Sequence, residues 1–224
     1  WKIWDAVYII IFTFFVGLLI AALLNYFNVD RTNTLIFGLI QIIIPIISIS
    51  CVLFCVKYIY KQPILESLGL VITRENLYKY IKAGVIISIL IYFSSLIISL
   101  ISINITGEPL ENPYKDFDYE QIKMISIIAI LIAPLIEEIF FRGFMQPAAC
   151  QAIGDIPGVL IVSAVFALSH QQYMQYPAAI AIILSLSLIL GFSRLYFKST
   201  VPGIIGHLLN NIYATLWIFA GQYG

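Results

Sequence analysis

Apolar residues run along this chain in long blocks separated by short polar stretches. A helix needs about 20 mostly apolar residues to cross a bilayer, and on that ruler the blocks make about seven segments. Three lie at 4–26, 34–60 and 83–103. The fourth starts near Gln121, the fifth near Pro157, the sixth fills 178–197 and the seventh runs on from Pro202. No stretch reads as a strand ladder, and in lipid a helix satisfies its own backbone. The pattern predicts an all-α fold, a polytopic membrane helix bundle of about seven transmembrane helices. It reads as one unit over 1–224, in which helices and a connector up to residue 118 lead into a core at 119–224. The first block is too long for the apolar centre of a cleavable signal peptide.

Composition agrees with a bilayer. Of 224 residues, 61% are hydrophobic and 11% charged, against about 25% charged in soluble domains; mean hydropathy is +0.99. Twelve basic and twelve acidic residues cancel, so no nucleic-acid partner is expected. Cys51, Cys55 and Cys150 form no zinc or disulfide framework.

Charge between the segments sets an orientation. Residues 57–82 carry Lys57, Lys61, Arg74, Lys79 and Lys82 against Glu66 and Glu75. Residues 104–121 carry Glu108, Glu111, Asp116, Asp118 and Glu120 against Lys115. The positive-inside rule puts the first connection in the cytoplasm and the second outside, and Arg142, Arg194 and Lys198 then fall on the cytoplasmic side. Within the first, SLGLVITRENLYKYI reads either as an amphipathic helix on the membrane surface or as a solvated connector.

One stretch breaks the apolar pattern. IEEIFFRGFMQ, residues 136–146, puts Glu137, Glu138 and Arg142 inside the fourth segment, where a charged side chain costs about 2.5–3.5 kcal/mol on insertion scales. Glu138 and Arg142, at i and i+4, share a helix face and neutralise each other. Glu137 points about 100° away and has no local partner, the situation of a carboxylate raised towards general-base work. The plainer alternative is that all three are polar glue between helices, for which a single pair would suffice. Both histidines also lie in apolar segments: His170 one turn after Phe166, and His207 one turn before Asn211.

Register brings these residues together. Glu137 and His170 are equidistant from a midpoint near Gly154. If the fourth and fifth helices form an antiparallel hairpin, both lie about 20 Å from its tip at 1.5 Å per residue. A protruding tip leaves too few residues before Arg194 for two full crossings. Either those helices are short or the turn QQYMQY, 171–176, sinks into the membrane, where irregular backbone is tolerated beside a watery cavity; the sunken turn is the expectation.

Glu137-Glu138-x-x-x-Arg142, Phe166-x-x-x-His170 and His207-x-x-x-Asn211, in this order, resemble the three signature motifs of the CPBP intramembrane proteases, which include the CAAX prenyl endopeptidases and the bacteriocin-processing and abortive-infection-like proteins. LGLVITRENL also resembles the segment often found upstream in that family. The resemblance implies a glutamate-dependent endopeptidase in a prokaryotic cell membrane, with an intramembrane polar cavity open to the cytoplasm. It would cleave a membrane-associated, prenylated or leader peptide. Glu137 would activate water with His170, while His207 and Asn211 would stabilise the oxyanion. Glu138, Arg142 and Phe166 would support them. Zinc stays open: Glu137, His170 and His207 match one class of catalytic ligand set, but no H-E-x-x-H is present. Two further readings are a non-proteolytic immunity or scaffold protein and a small proton-coupled transporter, the latter without the interrupted repeats expected of many transporters.

Overall fold

The computed structural model describes residues 1–30, 33–107, 114 and 117–223. Those residues form a helix bundle. Helix α1 spans Ile3–Tyr26, and α2 spans Thr34–Ile59, its last turn widened to a π-helix. Helix α3 spans Arg74–Thr106, and α4 covers Tyr119–Ile153 in several pieces. Helices α5 (Asp155–Ser169), α6 (Pro177–Phe197) and α7 (Val201–Tyr223) complete it. Six are long and apolar enough to cross a membrane; α5, at 15 residues, is not. Large apolar side chains such as Phe12, Phe15, Leu19, Phe93 and Leu100 stay exposed on α1 and α3. In a multi-pass membrane protein that surface faces lipid.

The connection after α2 differs from both readings of the sequence. It contains one helical turn, Ile64–Ser67, and from Arg74 the chain already belongs to α3, capped by Thr73. The turn has a structural use. Leu68 is fully buried, its carbonyl accepts from Thr200 Oγ1 at 2.6 Å, and the Gly69 carbonyl accepts from Thr200 N at 2.8 Å. This closes the bundle at its basic end. At the opposite, acidic end, Glu108, Glu111, Lys115 and Asp116 lie outside the described residues.

Helices α3 and α7 pack through glycine. A Cβ on Gly206 would stand 2.5 Å from Ile87 Cγ2, and one on Gly84 would stand 2.4 Å from Ile205 Cγ2, so the two backbones approach as closely as hydrogen side chains allow. Gly206→Leu should push α7 away from α3 and shift the neighbouring His207. Overpacking of this kind costs about 1–3 kcal/mol, to be read as an earlier thermal unfolding in detergent.

The α4–α5 hairpin turns at Gly154, whose φ of 93° is the left-handed region open to glycine. Gly158 then lets α5 lie directly on Cys150, where a Cβ would meet backbone at 2.7 Å. Because α5 stops at Ser169, the chain reverses at 170–176 within the bundle. The space beyond that turn is not filled by helix.

Candidate active site

The unfilled space is a cavity of about 930 Å³ lined by α2, α3, α4, α5, α6, α7 and the 170–176 turn. Glu137, Phe166, His170, His207 and Asn211 all line it. Its walls are otherwise largely isoleucine and alanine, with Gln172, Gln175 and Asn210 adding polar groups. It extends to Ser102, Thr106, Tyr114 and Phe117 at the acidic end, and no lining residue comes from 57–82. The expected approach from the basic side therefore does not match: Leu68 and its neighbours plug that end. Tyr114 reaches from the acidic connection to Tyr173, hydroxyl to hydroxyl at 2.7 Å. Burial pushes the Tyr114 phenol up from its ordinary value, so it stays protonated.

The two glutamates occupy different environments although they are adjacent. Glu138 is fully buried, and its Oε1 accepts from Arg142 Nη1 at 2.9 Å and from His207 Nδ1 at 3.2 Å. Arg142, 1% exposed, also donates through Nη2 to the Ser187 carbonyl and to Ser187 Oγ, at 3.0 and 2.7 Å. Its guanidinium lies 4.4 Å from the centre of the Phe166 ring, a cation–π contact strengthened by desolvation. Phe166 also packs on His170, ring centres 4.7 Å apart, so one phenyl touches both the ion pair and the histidine. Glu137, with 27% of its side chain exposed, faces the cavity.

His207 stands between the carboxylates. With Nδ1–H donated to Glu138, its Nε2 lies 3.9 Å from Glu137 Oε2. The sequence reading paired Glu137 with His170; here the histidine beside Glu137 is His207, and His170 lines the same cavity. His170 donates Nδ1–H to the Phe166 carbonyl at 2.8 Å, leaving Nε2 as an acceptor. Asn211 donates to the Ala129 carbonyl at 2.8 Å. Helix α4 is interrupted at Ile132, just before Pro134, so Asn211 satisfies an acceptor at that break. Asn211→Ala should leave this carbonyl short of a donor. A cost of about 1–3 kcal/mol is expected, visible as reduced thermal stability.

Between Ile139 and Met145 α4 widens into a π-helix, a form frequent at functional sites. Pro147, having no N–H, cannot serve the Arg142 carbonyl in the π pattern. Arg194 Nε donates to it instead at 3.2 Å, and Trp1 Nε1 donates to the Phe144 carbonyl at 2.7 Å. Ser187, Arg194 and Gly203 are supporting residues that motif reading missed. A Cβ on Gly203 would stand 2.9 Å from Glu138 Oε2, an oxygen with no hydrogen-bond partner among the described residues. The only signal for these residues in the sequence was small or polar character within an apolar run.

Among the described residues no three His, Cys, Asp or Glu side chains group to hold a metal ion. The cysteines Cys51, Cys55 and Cys150 are free.

Residues 120–213 match the family model described as Type II CAAX prenyl endopeptidase Rce1-like. No curated protein and no solved structure matches the chain.

Proposed function

We propose, on the premise that residues 120–213 form an Rce1-like type II CAAX prenyl endopeptidase domain, that this multi-pass membrane protein hydrolyses a peptide bond at Glu137. The observation that carries the reading is the division of labour between adjacent carboxylates. Glu138 is spent on Arg142 and His207, while Glu137 faces the cavity with His207 beside it. One carboxylate holds the site together; the other is free to act.

Water attacks the scissile carbonyl carbon as Glu137 takes its proton. The carbonyl π electrons move to oxygen, giving a tetrahedral oxyanion. His207 Nε2, 3.9 Å from Glu137, exchanges that proton with it, and Glu138 balances the charge on the ring through Nδ1, the orienting role of a carboxylate behind a histidine. The His207 N–H so formed and the second N–H of Asn211 steady the oxyanion, where preorganised donors are worth about 3–4 kcal/mol each. The proton then passes to the amide nitrogen, the oxyanion re-forms the carbonyl as the C–N bond breaks, and the new carboxylic acid gives its proton to the amine, so that carboxylate and ammonium leave. His170 Nε2 accepts from the attacking water and orients it.

The apolar walls suit a substrate with a prenyl or other apolar segment, arriving from the bilayer. Charge bias places the basic end in the cytoplasm, and the cavity then extends towards the opposite leaflet. The test is reconstitution in phosphatidylethanolamine–phosphatidylglycerol liposomes with internally quenched peptides, each with and without a farnesylated cysteine, the cut being located by mass spectrometry. Cleavage by wild type and its loss in Glu137→Gln are expected. Cleavage unchanged in that variant overturns the assignment.

A further inference from the structure

The α2 wall of the cavity carries one polar feature outside the residues used above. Pro45 lies inside α2 and lines the cavity with Gln41 and Ile42. Proline has no N–H, so the Gln41 carbonyl, four residues earlier, loses its helical donor. The Gln41 side chain is exposed and makes no side-chain hydrogen bond among the described residues. Gln41 also lines a smaller cavity of about 400 Å³ beside α1, with Gly17, Ile20 and Phe37. It therefore borders both spaces.

One residue thus presents a backbone acceptor, an amide acceptor and an amide donor on a largely apolar wall. An apolar tail has no use for these groups. A peptide backbone has, because in a poorly hydrated space each N–H and C=O needs a partner, and an extended chain presents both within one residue.

We propose that Gln41 and Pro45 form a docking subsite for the substrate backbone, holding it extended at a distance from the cleaved bond. This rests on the peptidase reading above and adds where the chain is gripped. Helices α2 and α4 run in the same direction with Gly38 against Met124. Counting from that contact, Gln41 and Glu137 differ by about 15 Å in level at 1.5 Å per residue. An extended peptide covers that in roughly four to five residues at about 3.3 Å each.

The test uses Glu137→Gln protein in liposomes and a fluorescein-labelled farnesylated peptide ending in a CAAX tetrapeptide, with binding read by anisotropy. Gln41→Leu, or Pro45→Ala, which restores the missing N–H, should each weaken binding about three- to tenfold, the worth of one peptide hydrogen bond. Replacing substrate amides by esters, one at a time, deletes single N–H donors. The ester four or five residues from the cut should weaken binding to the parent and add nothing in Pro45→Ala. In otherwise wild-type protein KM should rise by the same factor with kcat unchanged. Thermal unfolding matching the parent establishes that each variant is folded, and Pro45→Ala carries the test should Gln41→Leu fail this. Equal binding by parent and folded variants, no binding by any form, or no ester whose effect vanishes in Pro45→Ala overturns the subsite. Cleavage surviving Glu137→Gln overturns the peptidase reading instead and leaves the binding comparison intact.

Discussion

Glu137→Gln should abolish peptide cleavage while leaving insertion and folding intact. The amide keeps the side chain's size and one acceptor oxygen, so the cavity and the position of His207 beside it should persist. What is lost is the group that accepts the proton of water. A positioned general base contributes about 10²–10⁴ in rate, enough to put the variant below detection in a liposome assay. Its thermal unfolding should overlay that of wild type, because Glu137 reaches into the cavity with 27% of its side chain exposed and its neighbour carries the structural ion pair. Wild-type turnover by the folded variant would end the assignment of Glu137 as base.

Glu138→Ala should damage the protein in the opposite way, through stability first. Arg142 Nη1 and His207 Nδ1 both donate to Glu138 Oε1, and Arg142 is 1% exposed. Removing the carboxylate leaves a buried guanidinium with Ser187 as its remaining hydrogen-bond partner and frees the imidazole to turn. Breaking a buried pair by deleting one member costs about 3–5 kcal/mol. A large drop in the thermal midpoint is therefore expected, with activity lost as a consequence. Glu138→Gln, which keeps an acceptor for both donors, should fall between wild type and alanine. If Glu138→Ala is as stable as wild type yet inactive, the roles of the two glutamates need exchanging.

The contrast between these adjacent residues was legible from spacing. Glu138 and Arg142 are one helical turn apart, and that relation survives the widening of α4 into a π-helix after Glu138. The short α5 and the turn at 170–176 were legible from length, since too few residues stand between the hairpin tip and Arg194 for two crossings. Which histidine stands beside Glu137 was not. Sequence register compares levels along two helices, but it contains no information on how a third, α7, rotates about its axis. That rotation depends on Gly84 and Gly206 letting two backbones touch, and it brings His207 between the carboxylates. The direction of the cavity was likewise hidden. Loop charge reports which end of a bundle is basic, but whether that end is open depends on Leu68 and Gly69 being tied to Thr200.

Hydrophobic blocks, charge spacing and helix length are properties of single segments, governed by the bilayer's thickness and by the cost of charge in lipid. On those grounds the sequence by itself determined the all-helical membrane fold and the residues that cannot face lipid. The tertiary structure alone decided which donor serves which acceptor: Ser187 and His207 on the Arg142–Glu138 pair, Asn211 on the break in α4, and Arg194 and Trp1 on the π-helix. Those pairings join residues up to 143 positions apart. They depend on how neighbouring helices turn and approach, a degree of freedom that periodicity within one helix does not constrain.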